Sequence, residues 1–280
     1  MDKFILVCPF NKELLLRLVK REIIISKSDF DDLVNIKILV NQGNFFHHFY
    51  IESDTFLSDI PFQEDWKDIP LLILVNGMGD FKFLMTKLQV IRKLKARFFF
   101  PSSNPESYLS AQILSSLGID TGISFKNKTV HWERFSDLMH YAIYSKANHA
   151  YIQPFYYISQ NYNLTDRINI ENVFFNNPGS YLHLDKEGKI YLCREDIIAD
   201  NPVNLALENI DKIKDTPEFQ NRITQHQEHF INGTICAFCK AWRICFGRFS
   251  QYADQKNTCT ALFSDLLEGI EFSEKIEQPA

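Results

Sequence analysis

Apolar positions along the chain follow two different periods. From Pro70 onward, unbroken apolar runs alternate with stretches in which apolar residues recur every three or four positions. The run PLLILVNG, closed by Gly77, predicts a strand buried on both faces, and FKFLMTKLQVIRKLK after it has helical spacing. ARFFFPSS predicts a second strand, NPESYLSAQILSSLG a helix opened by Asn-Pro and closed by Gly118, and IDTGISF a third strand. A helix over WERFSDLMHYAIYSK and a strand within ANHAYIQPFYY follow. Strands and helices alternating at this spacing imply parallel strands joined by right-handed crossovers, hence an α/β fold.

The first 69 residues are less regular. NKELLLRLVKREIII has helical spacing, while VNIKILVNQGNFFHHFYIES predicts strands about a Gly turn. After residue 157, SQNYNLTDRINIENVFFNNPGS is rich in Asn and other turn formers, which marks residues 158–177 as a linker. Beyond it, SYLHLDKEGKIYLC alternates on either side of Asp185-Lys186-Glu187-Gly188, a β-hairpin that ends at Cys193. A helix over TPEFQNRITQHQEHF then leads into CAFCKAWRIC.

With 280 residues, 45% of them hydrophobic and 25 of them Phe, the chain can bury a thick core without disulfides. A net charge of -5 argues against a general affinity for nucleic acid, and the most basic stretch, IRKLKARFFF, reads as the solvated end of a helix. The opening MDKFILVCPFNK has a six-residue apolar run, too short for a secretory signal or a membrane span, so a cytoplasmic protein without a membrane partner is expected. No Walker loop, dinucleotide fingerprint or nucleophile elbow is present.

Cysteine is where chemistry is concentrated. Of six cysteines, Cys236, Cys239, Cys245 and Cys259 fall within 24 residues. In a reducing compartment such clustering points to metal ligands or redox groups, whereas isolated Cys8 reads as a small buried side chain. One C-x2-C turn followed by single cysteines at unequal gaps suits an iron-sulfur cube, and zinc ligation is the alternative. Trp242, Arg243 and Gly247 lie in or beside the cysteine loop: a Gly-freed amide there can donate to cluster sulfur, and an aromatic can exclude water or fill the core. Gly77-Met78-Gly79-Asp80 reads as a strand-to-helix turn, with a ligand pocket around Gly77, Gly79 and Asp80 as its functional alternative. His47, His48, His226 and His229 have no cysteine or carboxylate at ligand spacing and read as surface residues.

At the cysteine loop the chain resembles the SPASM domain, the C-terminal extension of many radical S-adenosylmethionine (SAM) enzymes that modify peptides. That family carries a hairpin ending in a cysteine, then C-x2-C-x5-C-x3-C and a last cysteine; here LDKEGKIYLC looks like the hairpin and CAFCKAWRIC is C-x2-C-x5-C. The resemblance implies one [4Fe-4S] cluster on Cys236, Cys239, Cys245 and Cys259. The family's next cysteine would fall at Phe249, and no cysteine occurs from 194 to 235, so Cys193 is left as a fifth, orphaned ligand position or a structural thiol. Upstream, ILVNGMGD, FFFPSS and TGISFKN resemble degenerate strand-end turns of a radical SAM barrel. The C-x3-C-x2-C motif that binds and cleaves the cofactor is absent, since Cys8 is the sole cysteine before Cys193.

The resemblance therefore implies a pseudo-radical-SAM protein: an incomplete β/α barrel over 1–157, a linker over 158–177 and a SPASM domain over 178–280. It implies an accessory that binds a ribosomally made precursor peptide beside a peptide-modifying partner of ATP-grasp or radical SAM type, as in grasp-with-spasm systems. An electron-transfer protein and a zinc-stabilised interaction protein are the alternatives.

Overall fold

The computed structural model describes residues 4–52, 57, 62–126, 129–163, 167–249 and 258–277. Residues 164–166 of the expected linker, and 250–257 and 278–280 of the expected C-terminal domain, lie outside the described residues. In chain order the elements run β1 (Ile5–Pro9), α1 (Lys12–Arg17), β2 (Glu22–Lys27), α2 (Leu33–Val40), β3 (Phe45–Glu52), β4 (Leu71–Leu74), α3 (Met78–Thr86) and α4 (Leu88–Ile91). Next come β5 (Ala96–Pro101), α5 (Glu106–Ser116), β6 (Thr121–Ser124), α6 (Trp132–Tyr144), β7 (Ile152–Gln153) and α7 (Phe155–Asn161). The chain continues with β8 (Tyr181–Leu184), β9 (Ile190–Tyr191), α8 (Arg194–Ile198), α9 (Pro217–Thr224), α10 (Glu228–Ile231), α11 (Trp242–Cys245) and α12 (Thr258–Glu277). The strands form a nine-stranded, mostly parallel sheet, with β8 and β9 as its antiparallel pair. The fold is thus α/β, as the alternation of periods predicts.

Two compact units divide the chain, one built from residues 1–75, 82–97 and 174–225, the other from 76–81, 98–173 and 226–280. This differs from a linear order of barrel, linker and C-terminal domain. The physical reason is strand pairing: β8 runs parallel to β1, with Leu6 opposite Leu182 and Val7 opposite His183, so the hairpin belongs to the N-terminal unit.

Within the first unit, β1 to β4 pair in parallel in sequence order. Ile23, Ile24 and Ile25 of β2 are fully buried, as a strand covered on both faces requires. The α1 helix starts where Asn11 accepts hydrogen bonds from the amides of Glu13 (2.9 Å) and Leu14 (3.2 Å), a cap that satisfies two otherwise orphaned donors. Residues 33–40, expected as strand, form α2. Their β-branched residues favour a strand locally, but buried Leu33, Ile36 and Val40 share one helical face, and packing overrides propensity.

In the second unit β5, β6 and β7 pair in parallel. Phe98, Phe99 and Phe100 are buried, and Gly122 of β6 is needed opposite them, because a Cβ there would lie 2.6 Å from the Phe99 ring. The α12 helix buries Leu262, Phe263, Leu266, Leu267 and Ile270, spaced as one stripe, and it packs on α6. The described residues of the expected linker are structured: α7 runs into it, and Ile168, Ile170 and Val173 are buried there. No described helix is long and apolar enough to cross a membrane.

Candidate metal centre

Four cysteines reach one region of the second unit from short elements. Cys236 sits in a 3-10 turn over Ile235–Phe238, Cys239 ends that turn, Cys245 closes α11, and Cys259 is the second residue of α12. Local chemistry shapes the loop. Phe246 and Gly247 both adopt positive φ, +50° and +79°, reversing the chain after Cys245 so that the Gly247 amide donates to the Cys245 sulfur. Glycine is required at 247, since a Cβ would lie 2.1 Å from Nε2 of His229, whose Nδ1 is 3.1 Å from the Thr234 hydroxyl. In the first turn of α12, where amides lack intrahelical acceptors, Thr260 donates to the Cys259 sulfur through both its hydroxyl and its N–H.

The thiols sense one another. Burial pushes Cys245 up to about 12, opposed by the Gly247 amide and reinforced by the charges of Cys239, Cys259 and Cys236. Burial likewise raises Cys259, with further repulsion from Cys236 and Cys239. Thiolates grouped this way are stable only around a cation or cationic core, so binding a metal would release protons. Among the described residues, no group of three or more His, Cys, Asp or Glu side chains is arranged to hold a single metal ion. The donor set itself, four thiols with amide and hydroxyl donors directed at two of the sulfurs, fits an iron-sulfur centre.

The aromatic surroundings separate the roles of the loop residues. Trp242 packs at tilted or edge-on angles among His226 (5.2 Å), Phe230 (4.7 Å) and Phe246 (5.0 Å), with the Arg167 guanidinium 5.4 Å over its ring. Its indole Nε1 is buried without a hydrogen-bond partner. Arg243 turns instead to Tyr162: the guanidinium lies 4.8 Å over that ring and donates to its hydroxyl. The carbonyl of Arg243 accepts from the Ile168 amide at 3.2 Å, so this residue fastens the cysteine loop to 162–168. Phe249, where the SPASM pattern would place a cysteine, is buried against Phe125 (5.0 Å), Trp132 (5.5 Å) and Phe263 (5.3 Å).

Other sequence candidates fall elsewhere. Cys193 belongs to the first unit, where its thiol donates to Asp196 at 3.1 Å, contacts Arg222, and is pushed up to about 12 by burial. Cys8 is fully buried in β1 and is raised to about 12 by burial alone. Gly77, Gly79 and Asp80 form the turn into α3, in which buried Asp80 accepts from the Asn76 amide at 2.9 Å; no side chain would clash at either glycine. The histidines depart from the surface reading: His48 is half-buried beside His47, and His226 and His229 pack against the cysteine loop. Thr260 is a site residue that sequence reasoning missed; the one signal for it is Thr directly after a cysteine at a helix start.

No protein-family model matches the chain, and no curated protein matches it by sequence.

Proposed function

We propose that Cys236, Cys239, Cys245 and Cys259 hold one [4Fe-4S] cluster, and that the chain is an accessory protein that captures a ribosomally made peptide for a modifying enzyme. The observation that carries the metal reading is the mutual charge sensing of four cysteines whose spacing is C-x2-C-x5-C followed by a more distant cysteine. Peptide capture is supported by β7, the outermost strand on its side of the sheet, flanked by exposed Tyr151 stacked 3.6 Å from Tyr156. An extended peptide can add as a strand to such an edge. The chain has no C-x3-C-x2-C, so S-adenosylmethionine cleavage is assigned to the partner and not to this protein.

A second reading, electron exchange, draws on Phe238 (82% exposed) and Ile235 (41% exposed), an apolar surface directly flanking Cys236 and Cys239.

Anaerobic purification followed by metal and sulfide analysis tests the centre. About four iron and four sulfide per chain are expected; one tight zinc without sulfide overturns it. Binding of a precursor peptide encoded beside this protein, measured with wild type and with Cys236→Ala, tests capture. Absence of binding, together with rapid electron exchange with a ferredoxin-type donor, would replace capture by the second reading.

A further inference from the structure

We propose that a groove on the second unit, running along α6 where α5 and α12 pack against it, binds an amphipathic peptide segment whose apolar face is flanked by basic side chains. This surface is separate from the edge of β7, and its role does not depend on what the cysteines hold. The groove consists of two hollows. One, of about 500 Å³, lies where the first turns of α6 meet Ala261, Leu262 and Asp265 of α12. The other, of about 300 Å³, lies between α5 and α6. Pro105 and Arg134 line both, so the hollows adjoin. Their volumes are those of ordinary binding pockets. Pro105 and Val130 come from the segments that follow β5 and β6, the end at which parallel sheets place their binding sites.

The floor is apolar and preformed. Buried Tyr108, Trp132, Leu138 and Leu262 line it. The Tyr108 hydroxyl donates to the Ser102 carbonyl at 2.8 Å and accepts from the His131 amide at 3.1 Å, which ties the end of β5 to the start of α6. Leu109 of α5, 60% exposed, lines the smaller hollow and offers an apolar contact for an incoming side chain to cover. The rim selects the partner. Glu106, Glu133, Asp137 and Asp265 are all exposed there, against one guanidinium, that of Arg134, which lies 3.7 Å from Asp137 in an exposed pair of little strength. Carboxylates in excess around an apolar floor attract Lys and Arg and repel acidic chains. An amphipathic helix with basic flanks meets both conditions by laying its apolar face into the groove. A second copy of this chain fits less well, because its net charge of -5 would face an acidic rim.

The test is fluorescence anisotropy of the full chain with two labelled synthetic helical peptides of equal length. Both carry leucine on the apolar face; one has lysine and the other glutamate on the polar face. The lysine peptide is expected to bind wild type and the glutamate peptide to stay free. Leu109→Glu should weaken the lysine peptide about tenfold although it makes the protein more acidic, and Leu109→Met should bind as wild type does. Glu133→Lys combined with Asp265→Lys, both at exposed positions that the fold does not need, should transfer binding to the glutamate peptide. Failure of wild type to bind the lysine peptide overturns the proposal. Tighter binding by Leu109→Glu also overturns it, since attraction to the acidic protein as a whole would then suffice. Sedimentation of the protein alone covers the remaining occupant: a dimer that Leu109→Glu dissociates would assign the groove to a second copy and overturn the proposal. Precursor capture is scored by its own binding measurement, so either reading can fail while the other stands.

Discussion

His48 and His183 are held neutral by the fold. Burial is the main cause for both, pushing each imidazole down to about 3; the charges of His47 and Arg97 add to it at His48, and that of Arg194 at His183. The neutral ring of His183 lies 3.0 Å from the Phe175 carbonyl, to which its Nε2–H donates. Unfolded histidine titrates near 6.5, so between about 6.5 and about 3 the unfolded chain binds protons that the folded one does not. Stability is therefore full above about pH 6.5 and declines as pH falls, by at most about 1.4 kcal/mol per pH unit for each group. Urea unfolding from pH 7 to pH 4 should show that slope, and replacing both residues with glutamine should flatten it; a wild-type midpoint independent of pH would show the rings titrating normally. At this scale the grouping of Cys236, Cys239, Cys245 and Cys259 in one unit was legible, because they lie close together in the chain. The histidines and Thr260 were not, since burial and a free first-turn amide arise only once strands and helices are placed.

The β8–β9 hairpin shows how one side chain organises an element. The Asp185 carboxylate accepts from the amides of Glu187 and Lys189, each at 2.9 Å, and from the Tyr191 hydroxyl at 3.1 Å. Gly188 completes the turn at φ +89°, and Asn11 and Arg17 from around α1 donate to the carbonyls of Lys186 and Glu187. Asp185→Ala should cost about 1–2 kcal/mol, since three partly exposed hydrogen bonds are lost. Hydrogen exchange at Glu187 and Lys189 should speed up about tenfold; unchanged exchange there would mean that α1 alone holds the turn. Elements with one dominant period, such as β4, β5, α5 and α6, were readable from sequence. The α2 segment was not, because its Val and Ile favour strand locally while its burial follows a helix.

At the level of the whole molecule, the chain order and the spatial order of the units differ. Each unit gathers three separate stretches of chain. A fragment starting at residue 178, the boundary suggested by composition, contains β8 without the β1 strand that pairs with it through Ile5, Leu6 and Val7. Such a fragment should lack native structure over 181–191, seen as collapsed amide dispersion in a nuclear magnetic resonance spectrum; a well-dispersed, cooperatively melting fragment would show that the hairpin does not depend on β1. Long-range pairing of this kind leaves no local trace in a sequence; β2 too, expected within a helical stretch, forms as a strand because β1 and β3 pair with it on either side.

The same pairing sets a timetable for synthesis. Ile5 and Tyr181 are register partners 176 residues apart, and at ribosomal rates of about 5–20 residues per second the second leaves the ribosome roughly 9–35 s after the first. For that interval β1 can pair with β2 on one side while its other edge stays open to any nascent chain nearby. A strand made before its partner by that interval is enclosed late, and shielding that edge while synthesis continues becomes part of the folding problem.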